Sequence, residues 1–275
     1  NSGVPDWWYN LEKVEEVGYV TDLITQHAVD FIHENQNDRY FLYVAHEAPH
    51  VPFQGRDDEA DRFPGVDFDY QGSVEDKERA FKEMIEVLDE GVGRIVGKLK
   101  ELNLEENTLV IFCSDNGGLK DFADNGSLHG YKGSLWEGGH RVPAIACWPG
   151  YIDPGMTTDE TVLSMDFFPT FVNLSKSQLD PEVEFDGQDL TQLLLGEDNL
   201  SERTVFWRYR NQKVARNNKW KLMVDRDSTF LFDLSRDISE QANLVNIQPG
   251  KATQLKAELA AWETEVLQGV KLKTR

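Results

Sequence analysis

The sequence is poor in cysteine, poor in basic residues and free of long apolar runs, and each shortage excludes a class of protein. Only two cysteines, Cys113 and Cys147, occur in 275 residues, so disulfide bonds cannot organise the fold. Both lie in apolar, strand-like runs and are expected to be buried free thiols. Acidic residues outnumber basic ones by 49 to 28, and the net charge of −21 disfavours nucleic acid as a partner. No run of about 20 apolar residues is present, so the sequence predicts no transmembrane helix and no membrane partner.

The apolar residues, 40% of the chain, suffice for one large domain or for a large and a small one. In the first part of the chain their periodicity alternates between that of strands and that of helices. This is typical of an α/β fold with a mostly parallel sheet flanked by helices. The predicted elements are a helix at 21–34, a strand at 40–45, a helix at 73–102, strands at 108–113 and 142–148, and a helix at 164–174.

After Gly196 the pattern changes to short strand-like runs separated by turn residues. The predicted elements are strands at 204–209, 213–216, 220–225 and 229–233, followed by a helix at 251–267. They indicate a small C-terminal antiparallel sheet with a helix. We therefore predict two domains, residues 1–195 and residues 196–275.

Residues 110–118, VIFCSDNGG, join a short apolar strand to two oxygen-bearing side chains, Asp115 and Asn116. Open α/β sheets build their sites at the carboxyl ends of their strands. Carboxylate and amide oxygens suit a hard cation such as calcium or magnesium. The same residues are also typical of a simple turn after a strand, and this stretch alone favours the turn.

Residues 130–143, GYKGSLWEGGHRVP, follow after a short polar loop. The glycines around Lys132 leave its charge poorly screened and let the backbone approach a ligand closely. Lys132 is therefore a candidate contact for an anion. The alternative is a flexible surface loop with a solvated lysine.

A third block starts with the apolar run at 40–45 and continues with residues 46–52, HEAPHVP. It places His50 directly after a predicted buried strand. A lone histidine in such a turn is more often a loop residue than a catalyst, so His50 gains weight only from the other two blocks.

These three blocks occur together in type I sulfatases of the alkaline-phosphatase-like superfamily, and the sequence resembles that family. Its members carry a strand followed by Ala-Pro-His-x-Pro, an Asp-Asn-Gly metal motif, and then Lys-Gly-x-x-x-Glu-Gly-Gly-x-Arg-x-Pro. Weaker agreement continues over the rest of the chain, at residues 166–170 (DFFPT), 185–190 (FDGQDL), 219–222 (KWKL) and 231–234 (LFDL).

The resemblance implies hydrolysis of a sulfate ester, with a sulfated carbohydrate as the expected substrate. It assigns calcium, or alternatively magnesium, to Asp115 and Asn116. It assigns charge neutralisation to Lys132 and protonation of the leaving oxygen to His50.

Four further residues lie in the same blocks and are expected to contact the substrate: His46, His129, His140 and Arg141. His129 stands where relatives often carry arginine. The resemblance also implies a periplasmic or extracellular location.

The formylglycine nucleophile of the family is made in a Cys/Ser-x-Pro-x-Arg motif, and the 275-residue sequence does not contain this motif. Residues 147–151, CWPGY, have tyrosine where arginine is required and lie after the lysine block. The chain also starts without methionine or a visible signal segment. We therefore expect the C-terminal portion of a longer sulfatase, inactive alone, whose open sheet is covered by the missing N-terminal portion or by another chain.

Two other functions stay open at this point. A phosphatase or phosphonate hydrolase of the same superfamily would share the fold and the metal-binding aspartate. A non-catalytic carbohydrate-binding fragment would explain the missing nucleophile.

Overall fold

A computed structural model of the chain, built from helices and short strands, describes residues 6–60, 69–180 and 182–269. The chain divides into two units, residues 1–109 and residues 110–275. Over the described ranges, no helix combines the length and the apolar character needed to cross a bilayer.

The first unit is built on two helices that pack against each other. Its elements are β1 (Trp8–Tyr9), β2 (Glu12–Lys13), α1 (Val20–Glu34) and α2 (Lys77–Glu101), with a short 3₁₀ helix at Glu105–Asn107. A side chain at Gly91 on α2 would overlap the hydroxyl of Thr25 on α1. Glycine at this position therefore lets the two helices approach closely.

Both helices are present as predicted, but each starts at a different residue. α1 begins at Val20, one residue before Thr21, and no side chain caps it. α2 begins at Lys77 rather than at residue 73, because the side chain of Asp76 accepts a hydrogen bond from Arg79 N (2.9 Å) and caps the helix there.

The predicted strand at 40–45 is wrong as a hydrogen-bonded strand, because no neighbouring strand pairs with it in the described part of the chain. Exposure nevertheless alternates from residue to residue, as in an extended segment. Phe41 is 70% exposed and Tyr43 is 80% exposed. The segment therefore has a strand's pattern without a partner strand.

The second unit contains the remaining elements. They are β3 (Val110–Cys113), α3 (Glu137–His140), β4 (Ala144–Cys147), α4 (Phe167–Ser175), α5 (Thr191–Leu194), β5 (Thr204–Tyr209), β6 (Gln212–Asn217), β7 (Trp220–Asp225), β8 (Ser228–Asp233) and α6 (Pro249–Val266). The predicted C-terminal antiparallel sheet with a helix is confirmed: the four strands pair in the order β5-β6-β7-β8, and α6 packs against them. We retain the division into residues 1–195 and 196–275 as a proposal, since this sheet and helix lie in its second part.

The core of this sheet lies between the strands and α6. It consists of Ala215, Leu222, Leu231, Ala252, Leu255 and Leu259. Burying this apolar surface holds α6 on the sheet, at about 25 cal/mol for each Å² removed from water.

β3 and β4 pair antiparallel, with Phe112 opposite Ile145. The pair leaves apolar side chains uncovered, since Phe112 is 39% exposed and Ile145 is 64% exposed. The expectation of buried thiols is wrong for the same reason: Cys113 and Cys147 are free and exposed on these two strands.

The predicted helix at 164–174 is not broken by its proline. A 3₁₀ helix (Ser164–Asp166) leads directly into α4, so Pro169 lies in the first turn, where its missing N–H costs nothing. The buried carboxylate of Asp166 accepts hydrogen bonds from the two terminal guanidinium nitrogens of Arg203 (2.7 and 2.5 Å) and from the backbone N–H of Gln188 (2.9 Å). The DFFPT and FDGQDL segments are therefore joined through one carboxylate.

Candidate active site

The end of β3 presents Asp115 and Asn116 at the start of a glycine loop. Asp115 is exposed and Asn116 is half-buried. Asn116 Nδ2 donates to Asp115 Oδ1 (2.8 Å), which orients the two side chains against each other. Asp115 Oδ2 and Asn116 Oδ1 stay outside this bond and are the oxygens that a cation can use.

The loop that carries Lys132 is bonded to this strand end through its backbone. Lys132 N donates to Gly118 O (2.9 Å), and Gly117 N donates to Gly139 O (3.0 Å). A side chain at Gly117 would overlap the carbonyl oxygen of Gly138. The glycines therefore allow the two loops to stack backbone against backbone, and the fold brings Lys132 to the residues that follow Asn116.

Asn125 links the same two loops through its amide. Its Oδ1 accepts from Gly118 N and its Nδ2 donates to Gly130 O, each at 3.0 Å. Gly130 has φ of +82°, a conformation that glycine adopts without strain. The side chain of Lys132 is exposed, and its ammonium has no carboxylate within 4 Å over the described ranges. A lysine held in this way has a fixed backbone and a free charge.

Glu137 anchors the lysine loop to the C-terminal sheet. Its carboxylate is fully buried and lies 2.8 Å from Lys221 Nζ on β7. Lys221 Nζ is also 2.8 Å from Glu240 Oε1, and Glu137 N donates to Glu240 Oε2 (2.7 Å). Arg141 and Arg216 approach Glu137 Oε2, each at 3.5 Å.

The pKa values in this cluster follow from burial and from Lys221. Burial opposes ionisation of Glu137, but Lys221 and Arg216 outweigh it and hold its pKa below the ordinary value. Burial raises the pKa of Glu240. Burial, reinforced by the charge of Lys221, lowers the pKa of His140 to about 4. His140 is therefore neutral near pH 7, and its Nε2 can accept from Lys221 Nζ at 3.2 Å.

The predicted substrate contacts of the second unit lie in different surroundings. His140 belongs to the buried cluster, whereas Arg141 is 40% exposed at its edge. His129 is exposed, and its ring stacks on Trp136 with the centroids 4.2 Å apart. His129 and Arg141 can therefore reach a ligand directly, while His140 is positioned to support the loop.

His46 and His50 belong to the first unit. His50 is exposed, and its Nδ1 donates to Val51 O (2.7 Å), which leaves Nε2 available. His46 Nε2 lies 3.0 Å from Thr25 Oγ1, whose own hydrogen is donated to Thr21 O. Burial lowers the pKa of His46, so the ring is a neutral donor to Thr25.

Asp115 and Asn116 have the right donor chemistry for calcium but supply only two oxygens. Among the described residues, no group of three or more His, Cys, Asp or Glu side chains is placed to hold a metal ion. Calcium takes about six to eight oxygen ligands, so these two residues fit one side of a site.

Sequence reasoning missed the roles of Glu137, Lys221 and Glu240. In the sequence, Glu137 is the acid of the Glu-Gly-Gly run, and Lys221 is a lysine inside an apolar strand. Their pairing was not visible, because 84 residues separate Lys221 from Glu137. The signal for Lys221 was burial of its strand, since a lysine there requires a carboxylate partner.

The chain matches two protein families. The Sulfatase family matches residues 1–177, and N-sulphoglucosamine sulphohydrolase, C-terminal, matches residues 129–265. The chain is 32% identical to arylsulfatase A of Bos taurus over 276 residues, covering 88% of this chain and 50% of the relative. It is 33% identical to an arylsulfatase of Hemicentrotus pulcherrimus over 208 residues, covering 74% of this chain and 35% of the relative.

A solved structure, Ps i-CgsB in complex with k-i-k-neocarrahexaose, superposes with a TM-score of 0.80 at 30% identity. The superposition covers 92% of this chain and 56% of that one. The chain therefore has the alkaline-phosphatase-like fold of sulfatases, which confirms the predicted fold class, although the strand pairs of the described residues are antiparallel rather than mostly parallel. It belongs to the sulfatase family. It spans about a third to a half of the length of these curated relatives.

Proposed function

We propose that the chain is part of an enzyme that hydrolyses sulfate esters of carbohydrates, with a formylglycine nucleophile outside these 275 residues. The observation that carries the proposal is the hydrogen bond from Lys132 N to Gly118 O. It joins the loop that bears a free ammonium to the loop that bears Asp115 and Asn116. Hydrolysis of a sulfate ester requires a positive side chain for the sulfate oxygens and oxygen ligands for a metal ion, and this bond brings together the two loops that carry them.

Lys132 is proposed to contact the sulfuryl oxygens. Their negative charge is redistributed as the bond to the leaving alcohol breaks, and a preorganised ammonium stabilises that charge. The bond from Lys132 N to Gly118 O fixes the backbone from which this side chain extends. Arg141 and His129 are proposed to contact the sugar, since both reach the surface of the same unit.

Asp115 Oδ2 and Asn116 Oδ1 are proposed as calcium ligands, and magnesium would use the same oxygens. When bound, calcium polarises the sulfate oxygens. The other ligands are proposed to lie outside this chain, together with the nucleophile.

His50 is proposed as the acid that protonates the leaving oxygen, and His46 as a neighbouring substrate contact. The bond from His50 Nδ1 to Val51 O orients the ring and leaves Nε2 to carry the proton. Histidine is the side chain used most often for such a proton transfer.

The two thiols do not replace the nucleophile. Partial desolvation of this exposed thiol, together with the charge of Asp115, raises the pKa of Cys113, which disfavours its thiolate. Cys147 is followed by Pro149 but has Tyr151 where formylglycine formation needs arginine. Both observations support an attacking group elsewhere.

The apolar residues left open on β3 and β4 support a covering segment, either the rest of the enzyme or another chain. The sugar complex of Ps i-CgsB supports a sulfated carbohydrate as the substrate. By family resemblance we propose a periplasmic or extracellular location.

Sulfate release tests the proposal in the full-length enzyme, meaning the longest natural polypeptide that contains these residues. The substrates are a sulfated oligosaccharide, a sterol sulfate, and a phosphate and a phosphonate monoester. The proposal expects sulfate from the oligosaccharide and turnover of the phosphorus esters at least about 100-fold slower. Preference for a phosphorus ester or a sterol would contradict it, and binding of the oligosaccharide without any turnover would indicate a carbohydrate-binding protein.

A further inference from the structure

A polar cleft of about 620 Å³ lies beside the lysine loop, in the second unit. Its walls are the β5–β6 turn, the β7–β8 turn and Gly133. The lining residues used below are Gly133, Arg210, Gln212, Asp225, Arg226 and Asp227.

Hydrogen bonds hold the walls together. Arg226 N donates to Asn211 O (3.1 Å), which ties one hairpin turn to the other. Gln212 Oε1 accepts from Leu135 N (2.7 Å), and Gln212 Nε2 donates to Asp225 Oδ2 (2.8 Å). One glutamine therefore fixes the lysine loop to both turns, so the cleft has a defined shape.

The two arginines of the cleft are the positions of interest. In the described part of the chain, neither Arg210 nor Arg226 has a carboxylate within 4 Å, whereas neighbouring Arg208 pairs with Glu263 at 3.6 Å. Arg210 lies over the ring of Tyr209, 5.0 Å from its centroid. The cleft therefore holds two guanidinium groups that no carboxylate of the described residues pairs with.

Both arginines sit at turn positions with positive φ, +52° for Arg210 and +53° for Arg226. Non-glycine residues reach this region at a cost, and glycine or asparagine is the usual choice. The turns alone therefore do not call for arginine at these two positions, and we expect the guanidinium groups to have a role of their own. A guanidinium presents paired donors that match the oxygens of a sulfate or a carboxylate.

We propose that this cleft is a second subsite, which binds an anionic group on a sugar residue beside the one whose sulfate is removed. The inference rests on the proposed function of Lys132. Gly133, which lines the cleft, directly follows Lys132 in the chain. Arg210 and Arg226 bind the anionic group, and Asp225 and Asp227 accept hydrogen bonds from sugar hydroxyls. The substrate class is thus an oligosaccharide with a negative charge on at least two residues.

Arg210→Ala and Arg226→Ala, singly and together, test the subsite in the full-length enzyme. The matched control is Arg236→Ala, which removes an exposed arginine of the same unit outside the cleft. The substrates are 4-nitrophenyl sulfate and three oligosaccharides whose neighbouring sugar carries a sulfate, a uronate carboxylate or no charge.

Each cleft variant should lower kcat/KM for the doubly charged oligosaccharides by about tenfold or more, mainly through KM. Hydrolysis of 4-nitrophenyl sulfate and of the oligosaccharide with the uncharged neighbour should stay unchanged. A larger effect with the sulfate than with the uronate identifies sulfate as the group bound, and the reverse identifies the carboxylate. Equal losses on all substrates, or behaviour like Arg236→Ala, overturn the subsite.

Titration calorimetry with the same oligosaccharides gives a readout that does not need turnover. If no sulfate is released from any substrate, the proposed function fails. The subsite is then supported by a Kd about tenfold weaker in the cleft variants, and overturned by an unchanged Kd. Arg210→Gln and Arg226→Gln provide a second pair if an alanine variant unfolds.

Discussion

Lys221 Nζ lies 2.8 Å from Glu137 Oε1, and both side chains are fully buried. The contact joins β7 of the C-terminal sheet to the helix that ends the lysine loop. Because a buried charge without a partner is strongly destabilising, Glu137 depends on Lys221 and Arg216, and Lys221 depends on Glu137 and Glu240. The stability of the C-terminal sheet and the position of the lysine loop are therefore linked through one ion pair.

The first prediction concerns this pair. Lys221→Met leaves Glu137 buried without its ammonium partner, and Glu137→Gln removes one of the two buried carboxylates that lie 2.8 Å from Lys221 Nζ. Each should lower the free energy of unfolding by about 3–5 kcal/mol, measured by urea denaturation. The double variant should lose at least about 2 kcal/mol less than the sum, because the two residues act as a pair.

Lys219→Met is the matched control, since Lys219 is 42% exposed and pairs with Asp233 at 3.0 Å. It should cost less than about 1 kcal/mol. Similar losses for Lys219→Met and Lys221→Met, or strict additivity in the double variant, would show that the buried pair has no special role.

The second prediction is a loss of stability in mild acid. The pKa of His140 is lowered from 6.5 to about 4 in the fold, so the unfolded chain binds a proton at a higher pH than the folded chain does. The stability that depends on neutral His140 is complete above pH 6.5 and is lost as the pH falls toward 4. Between pH 7 and pH 5 the expected loss is about 2 kcal/mol.

Urea denaturation at these two pH values measures the loss. His140→Gln cannot titrate and should remove most of the difference, while His33→Gln, a change at an exposed position, should keep it. Of the groups that face His140, Glu137 has a lowered pKa and adds to the loss only below its ordinary pKa of 4.5, whereas the raised pKa of Glu240 opposes the loss from above that value. An unchanged difference in His140→Gln would contradict the assignment.

The secondary structure of the C-terminal strands could be predicted from the sequence, whereas that of the segment at 40–45 could not, and the reason is physical. The C-terminal strands at 204–209 and 220–225 were predicted with their observed bounds. Each strand pairs with the next strand in the sequence, and turn residues mark its ends. The segment at 40–45 has the same apolar pattern but no partner strand in the described part of the chain. An apolar pattern indicates which side chains of a segment can be buried, whereas strand pairing also requires a second segment.

The candidate site shows the same division. Asp115, Asn116 and Lys132 were identified from local motifs, and the backbone bond between their loops brings them together. The buried network was not predicted, because Glu137, Lys221 and Glu240 come from distant parts of the sequence. Helix starts also differed, since capping depended on which side chain, Asp76 rather than Ser73, met the free N–H groups.

The third prediction tests the stacked glycine loops. Gly117→Ala places a methyl group against the carbonyl oxygen of Gly138 and should cost about 1–3 kcal/mol of stability. Gly97→Ala is the control: nothing lies within 4 Å of the added Cβ on α2, so helix propensity should raise stability by up to about 1 kcal/mol. Thermal melts of the two variants should shift in opposite directions, and equal shifts would contradict the close approach at Gly117.

The fourth prediction concerns calcium. Two oxygens from Asp115 and Asn116 cannot complete a calcium shell, so the 275-residue chain should bind calcium more weakly than micromolar in titration calorimetry. Asp115→Ala should abolish that binding, and Asp159→Ala, at an exposed position, should preserve it. A submicromolar Kd for the isolated chain would mean that it supplies the whole site.

The most direct measurement of the central claim is the rate of sulfate release from 4-nitrophenyl sulfate by the full-length enzyme and its Lys132→Ala variant. The account predicts that Lys132→Ala lowers kcat by about 100-fold or more, because the ammonium acts on charge in the transition state. The folded fraction should be unchanged, since the side chain of Lys132 is exposed, and Lys120→Ala, a nearby exposed lysine, should keep the parental rate. Near-parental turnover by a folded Lys132→Ala enzyme would contradict the account.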